Sequence, residues 1–159
     1  MNQTDAEQSG GAERRITRVL KSEVLGRRRV AWVAREDEAM ITSADAYRIH
    51  SEAWGDEEAY GELPSLANQV RQAIEHGHED PAHVINYGAI LLDLHRDSEA
   101  LEWLLAHHVE YREYFQNLAT AYAKTDPNNK EPIRSNNLKS REYPGCPNAI
   151  LAYIDYHGL

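Results

Sequence analysis

The chain has 159 residues, 42% of them hydrophobic and 27% charged, which suits one globular domain with a core of its own. Its formal net charge of −9 opposes nucleic acid and anionic membranes as partners of the chain as a whole. A single cysteine rules out an intramolecular disulfide, the opening "MNQTDAEQSGGAERR" lacks a signal-peptide core, and no apolar run nears the roughly 18 residues of a membrane span, so a cytoplasmic protein without a membrane partner is expected.

Residues 1–12 are polar and aperiodic and read as a disordered tail ahead of a single helical domain over 13–159. Over 12–25 the residues Ile16, Val19, Leu20 and Val24 recur at helical spacing, and Gly26 suits the helix end. Residues 1–35 hold eight basic and four acidic side chains, whereas 36–159 hold nine and 22, so a +4 arm precedes a −13 body. The basic stretch 14–29 could neutralise phosphates, which makes a nucleic-acid-associated regulator one alternative function. Its apolar stripe asks for burial, however, and packing on the acidic body accounts equally well for its charge. Residues 27–41 fit a strand through Val30, Trp32 and Ala34 and a helix through Val30, Val33 and Ala34. A lone strand cannot bury its edges, so helix is the reading there.

Thr42 or Ser43 can cap a helix running to about Trp54, with Tyr47, His50 and Trp54 on one stripe. "GDEEAYGELP" breaks it. Pro64 then suits the first turn of a helix ending near His76, with Leu66, Val70, Ala73 and Ile74 inward and Gly77 as terminator. Asp80 and Pro81 form a cap and first position for the next helix, expected over 81–94, and further helices are expected over 97–108, 110–125 and 146–157. Between the last two, "DPNNKEPIRSNNLKSREYPG" (126–145) holds three prolines and four asparagines and reads as a long loop inserted in the last hairpin. It is locally basic, and Arg134, Lys139 and Arg141 are candidate contacts for a partner.

The hairpin 84–107 carries Gly88 in "NYGAILL", Ala100 in "HRDSEAL", and the large apolar residues Leu91, Leu101 and Leu104. It resembles a tetratricopeptide repeat, whose paired helices approach closely only where side chains are small. "FQNLATAY" (115–122) aligns with "VINYGAIL" 31 residues earlier, a second copy whose second helix is expected only after the 126–145 loop. The fold class expected is all-α, either a short α-solenoid of this kind or a bundle of antiparallel hairpins. A stack needs about three units, which N-terminal helices or a homodimer would complete.

The resemblance implies binding of a protein or peptide partner in a groove lined by the first helix of each hairpin. Asn86 and Asn117 hold equivalent places in the two copies, and similar asparagines in the family hydrogen-bond a ligand's backbone. Ile85, Ala89, Asp93, Gln116, Thr120 and Lys124 would be their groove neighbours. Ala82 stands where a carboxylate-binding pattern wants a lysine, so recognition of a C-terminal carboxylate is not expected. An acidic body favours a basic partner.

The function expected is therefore non-catalytic recognition, as adaptor, chaperone, regulatory subunit or immunity-type protein, without a cofactor. A metal-dependent enzyme at "HGHEDPAH" is the other alternative, through His76, His78 and His83. Gly77 and the helix restart at Pro81 aim these rings apart, and helix-end histidines are explained by the helix dipole. Cys146 with His157 invites a nucleophile–base reading but lacks an orienting residue and an oxyanion site.

Overall fold

Helix-start signals recur along the chain, and a computed structural model shows what each begins. It describes residues 39–54, 56–78 and 80–153, which belong to one unit beginning at Ala39. The expected tail at 1–12, the basic stretch 14–29 and most of the ambiguous 27–41 lie outside the described residues. The described residues form seven helices: α1 Ser43–Ala53, α2 Glu57–Tyr60, α3 Leu63–Glu75, α4 Pro81–Asp93, α5 Asp97–Ala106, α6 Arg112–Thr125 and α7 Lys130–Lys139. The protein is all-α over these residues, with no strand among them. No described helix is long and apolar enough to cross a membrane.

Local chemistry sets the starts and stops. Thr42 Oγ1 accepts the Asp45 amide at 3.1 Å to begin α1. Asp56 accepts the amides of Glu58 and Ala59 to begin α2, and Asp80 accepts the His83 amide at 2.7 Å to begin α4 with Pro81 next. Each cap satisfies a donor that has no intrahelical partner. Gly77, at φ +88°, turns the chain out of α3 in a conformation that costs other residues more.

The helices pair as hairpins, α1 with α3, α4 with α5 and α6 with α7, while α1, α4 and α6 lie side by side in one layer. Helix α4 is central, and every residue from Ala82 to Asp93 is buried. Gly88 sits where α5 comes closest. A Cβ there would lie 2.7 Å from Leu104 Cδ2 and 2.9 Å from Cγ. Side-chain bonds to backbone tie the layers: Trp103 Nε1 donates to the Val84 carbonyl at 3.0 Å and the Tyr114 hydroxyl to the Leu104 carbonyl at 2.7 Å.

Three expectations are corrected. The 126–145 segment is not a loop, because α7 occupies 130–139. Pro132 is the third helical residue, within the turn whose N–H groups have no intrahelical acceptor, so its missing donor costs the helix nothing there. Pro127 and Pro144 flank the helix instead of interrupting it. The last hairpin is therefore α6–α7, with no insertion, and Arg134 and Lys139 are helical residues, with Arg141 just beyond. Second, 146–153 is not helical but irregular and then extended. The remainder of the helix expected there, from 154, lies outside the described residues. Third, the buried stripe of α1 is Ala46, His50 and Ala53, while Tyr47 and Trp54 are about half exposed at 46% and 47%. Small residues let α1 settle on α3 and α4, and the aromatics are left at the rim.

Candidate functional site

The layer formed by α1, α4 and α6 holds a peptide, and the peptide is the chain's own. After α7 the chain turns through 140–147, anchored where the Arg112 amide donates to the Pro144 carbonyl at 2.9 Å and the Cys146 amide to Glu113 Oε2 at 2.7 Å. Asn148 then takes φ +60°, a left-handed conformation that asparagine tolerates. Residues 148–153 follow as a strap laid over the first helices.

Two carboxamides grip the strap in the same way. Asn86 Nδ2 donates to the Asn148 carbonyl at 3.0 Å, and Asn86 Oδ1 accepts the Ile150 amide at 2.6 Å. Asn117 Nδ2 donates to the Ile150 carbonyl at 2.9 Å, and its Oδ1 accepts the Ala152 amide at 2.9 Å. All four backbone groups belong to residues 148, 150 and 152, which share one edge of an extended chain. Each asparagine thus offers the N–H and the C=O that one residue of a neighbouring strand would present, since an amide side chain carries the same donor and acceptor. Both side chains are almost wholly buried, at 0% and 1% exposure, where an unmade bond would be expensive.

Asp93 closes the far end. Its Oδ1 accepts the Tyr153 amide at 2.7 Å. Its Oδ2 lies 2.6 Å from His50 Nε2, both side chains being nearly inaccessible. A carboxylate oxygen only accepts, so Nε2 carries the proton in that bond. The 3.4 Å approach of Trp54 Nε1 to the same nitrogen is then an edge contact. The Tyr60 hydroxyl donates to the Asp93 carbonyl. Burial first, and then the Asp93 charge, push the Tyr60 phenol above its ordinary range.

From Ile150 onwards the strap's side chains alternate. Ile150 and Ala152 are buried at 1% and 6% exposure, while Leu151 and Tyr153 are exposed at 44% and 53%. The Tyr153 ring meets Trp54 edge-on at 4.5 Å between centroids. A cleft of about 280 Å³ opens beside it, with Tyr47, His50 and Trp54 on one wall and Ile150 and Leu151 on the other.

Of the residues nominated from sequence, Asn86, Asn117 and Asp93 converge on the strap. Ala89 is fully buried, and Thr120, also buried, donates to the Gln116 carbonyl of its own helix at 3.0 Å. Gln116 is half-buried with Oε1 unpartnered. Lys124 is drawn away, donating to the Leu92 carbonyl at 2.9 Å and lying 3.6 Å from Asp97. Arg134, Lys139 and Arg141 are exposed and make no contact with the strap among the bonds described. His50, Tyr60, Glu113 and the strap itself were not nominated. His50 and Asp93 are 43 residues apart, and no local pattern joins them.

His76 and His83, from the other candidate site, each turn a ring nitrogen to a backbone carbonyl. His76 Nδ1 bonds the Gln72 carbonyl at 2.7 Å, and His83 Nε2 lies 3.1 Å from the Ile41 carbonyl. His83 Nδ1 lies 3.2 Å from Asp80 Oδ2 but without hydrogen-bond geometry. No group of three His, Cys, Asp or Glu side chains converges to hold a metal ion among the described residues. Burial, and after it the charges of Glu113 and Asp80, push the Cys146 thiol up to about 11, so it rests as the thiol and not the nucleophilic thiolate. His157 lies outside the described residues. Comparison with models of protein families, with characterised proteins and with solved structures finds no match to this chain.

Proposed function

We propose that this protein is a non-catalytic binding module of the tetratricopeptide-repeat type, whose first-helix face receives an extended segment of a protein partner. The single observation that carries this reading is the pair of asparagine clamps. Buried carboxamides on successive hairpins, each satisfied by one N–H and one C=O of an extended chain, form a surface made for backbone. The −13 body favours a partner carrying positive charge outside the groove, through faster encounter. The same reading makes the protein an adaptor, chaperone, regulatory subunit or immunity-type protein acting in the cytoplasm.

Affinity capture from native lysate at two salt concentrations tests it, comparing the tagged wild-type chain with an Asn86→Ala, Asn117→Ala double variant whose helical content is checked by circular dichroism. A stoichiometric protein partner held by the wild type and lost by the folded double variant is the expected result. A partner retained by that variant would sink the groove as the binding site. Nucleic acid that elutes at the higher salt and is lost on deleting 1–35 would favour the basic arm instead.

A further inference from the structure

We infer that the 148–153 strap is a built-in competitor, occupying the groove until an extended segment of a partner, similar in its inward side chains, displaces it. The inference rests on the reading of the groove as a peptide site and adds how that site is gated and what it selects. Four features of the strap carry it.

First, the strap is held mainly through its backbone. Five hydrogen bonds from Asn86, Asn117 and Asp93 reach its amides and carbonyls, and any extended peptide offers the same groups. A foreign segment can therefore replace the strap bond for bond, leaving no buried donor unpaired. Second, two of the strap's three large side chains point away from the core, which takes only Ile150 among them. Leu151 and Tyr153 are about half exposed, and the inward places hold only Ala149, Ile150 and Ala152. Third, the strap leaves its last anchored residue, Cys146, through the exposed Pro147 and Asn148, so the strap can swing away while α7 and the anchored turn stay in place. Fourth, the helices beneath it are joined without it, since α4 and α6 pack directly on each other and on α5.

The inward residues specify the ligand. Asn86 brackets Ala149 and Asn117 brackets Leu151, with the Ile150 side chain buried between the clamps. The displacing segment is an extended, uncharged stretch with a branched aliphatic residue flanked two places on by a small one. Side chains at the Leu151 and Tyr153 places face outward and are free to vary.

A tether of a few residues keeps the strap at an effective concentration of about millimolar, so a peptide in solution competes poorly with it. Ala152→Pro removes the one N–H that Asn117 Oδ1 accepts and leaves every groove side chain in place. Leu151→Pro removes an N–H on the opposite edge, which no groove residue takes, and serves as control. The probe is a labelled synthetic peptide of sequence PNAILAY, titrated into full-length wild type, Ala152→Pro and Leu151→Pro, with fluorescence anisotropy as readout. Ala152→Pro should bind it about tenfold or more tighter than wild type, Leu151→Pro should match wild type, and adding Asn117→Ala should remove the gain.

Equal, measurable binding to wild type and Ala152→Pro would overturn the gating while leaving the peptide-reading groove intact. No binding to Ala152→Pro, with loss of Ile150 amide protection proving the strap released, would overturn the groove reading itself. If Ala152→Pro does not fold, a protease site inserted between Arg141 and Glu142 and cut after folding gives the same comparison. Uncut protein should resist the probe and cut protein should exchange its strap for it. A concentration-dependent dimer of wild type, abolished by Asn117→Ala, would overturn the partner assignment in favour of a second copy of this chain.

Discussion

Single side chains in this protein bind one helix to the next, and Tyr114, whose partner lies ten residues earlier, shows the cost of one such link. Its hydroxyl bonds the Leu104 carbonyl at 2.7 Å, and burial first, then the neighbouring Tyr122, push its phenol up to about 12. The unfolded chain releases this proton near pH 10, before the folded chain does. Its contribution is therefore complete below about pH 10 and is lost as pH rises towards 12. Urea midpoints measured at pH 8, 10 and 11 should fall across that window for the wild type. Tyr114→Phe should start about 1 kcal/mol less stable and fall less steeply, the residual slope coming from Tyr60 and Tyr87, which burial raises in the same direction. An unchanged slope in Tyr114→Phe would assign the alkaline loss elsewhere. Residue-scale features of this kind are partly legible in the sequence. Asn86 and Asn117 stand out because they sit at equivalent places in two similar segments. What they bond does not, since their partners lie 64 and 35 residues away along the chain, and pairing at such range leaves no periodic trace.

Among the elements, the α4–α5 hairpin is the tightest joint, and Gly88 is the reason. An alanine there gains about 1 kcal/mol of helix propensity, but its Cβ would stand 2.7 Å from Leu104 Cδ2 in a residue with no exposure. Overpacking costs about 1–3 kcal/mol, so Gly88→Ala should destabilise, and Leu104→Ala in the same chain should cost less than additivity demands. Denaturant midpoints of the four-member cycle measure it, and a Gly88→Ala variant as stable as wild type would show that the helices have room to part. This hairpin is readable because caps, small residues and apolar spacing agree. Helix α7 is not, because the number of prolines and asparagines argues against a helix while their register decides their effect. Pro132 sits in the first turn, and Asn136 turns its Nδ2 back to the Pro132 carbonyl at 2.8 Å. The strap misleads for the opposite reason. Ala149, Ile150 and Ala152 suit a helical face as well as an extended one, and only the waiting carboxamides decide between them.

At the scale of the molecule, stability should be graded from α4 outwards. Every residue from Ala82 to Asp93 is buried, whereas the strap rests on one layer only. Amide exchange should find α4 slowest, opening only with global unfolding. The amides of Ile150, Ala152 and Tyr153 should be protected although they belong to no helix, and should exchange faster than α4 through local release. Strap amides exchanging at free-peptide rates would show that the clamps do not hold in solution. Strap amides as slow as those of α4 would show that it never opens alone, which would leave a competitor no entry. The whole-molecule fold class is the most legible property of all, because helical spacing and caps are local signals that add along a chain.

The strap's other edge has a consequence of its own. Asn86 and Asn117 take up the amides and carbonyls of residues 148, 150 and 152, and the backbone of Leu151 faces the opposite way. Leu151 therefore presents outward a single residue of open strand edge beside its apolar side chain, between the Ala149 amide, taken by the Cys146 carbonyl, and the Tyr153 amide, taken by Asp93. Such borders template further strands, and sheet proteins blunt them with charge or proline. Nothing at Leu151 does so here, which makes it the first position to examine if concentrated solutions of this protein turn cloudy.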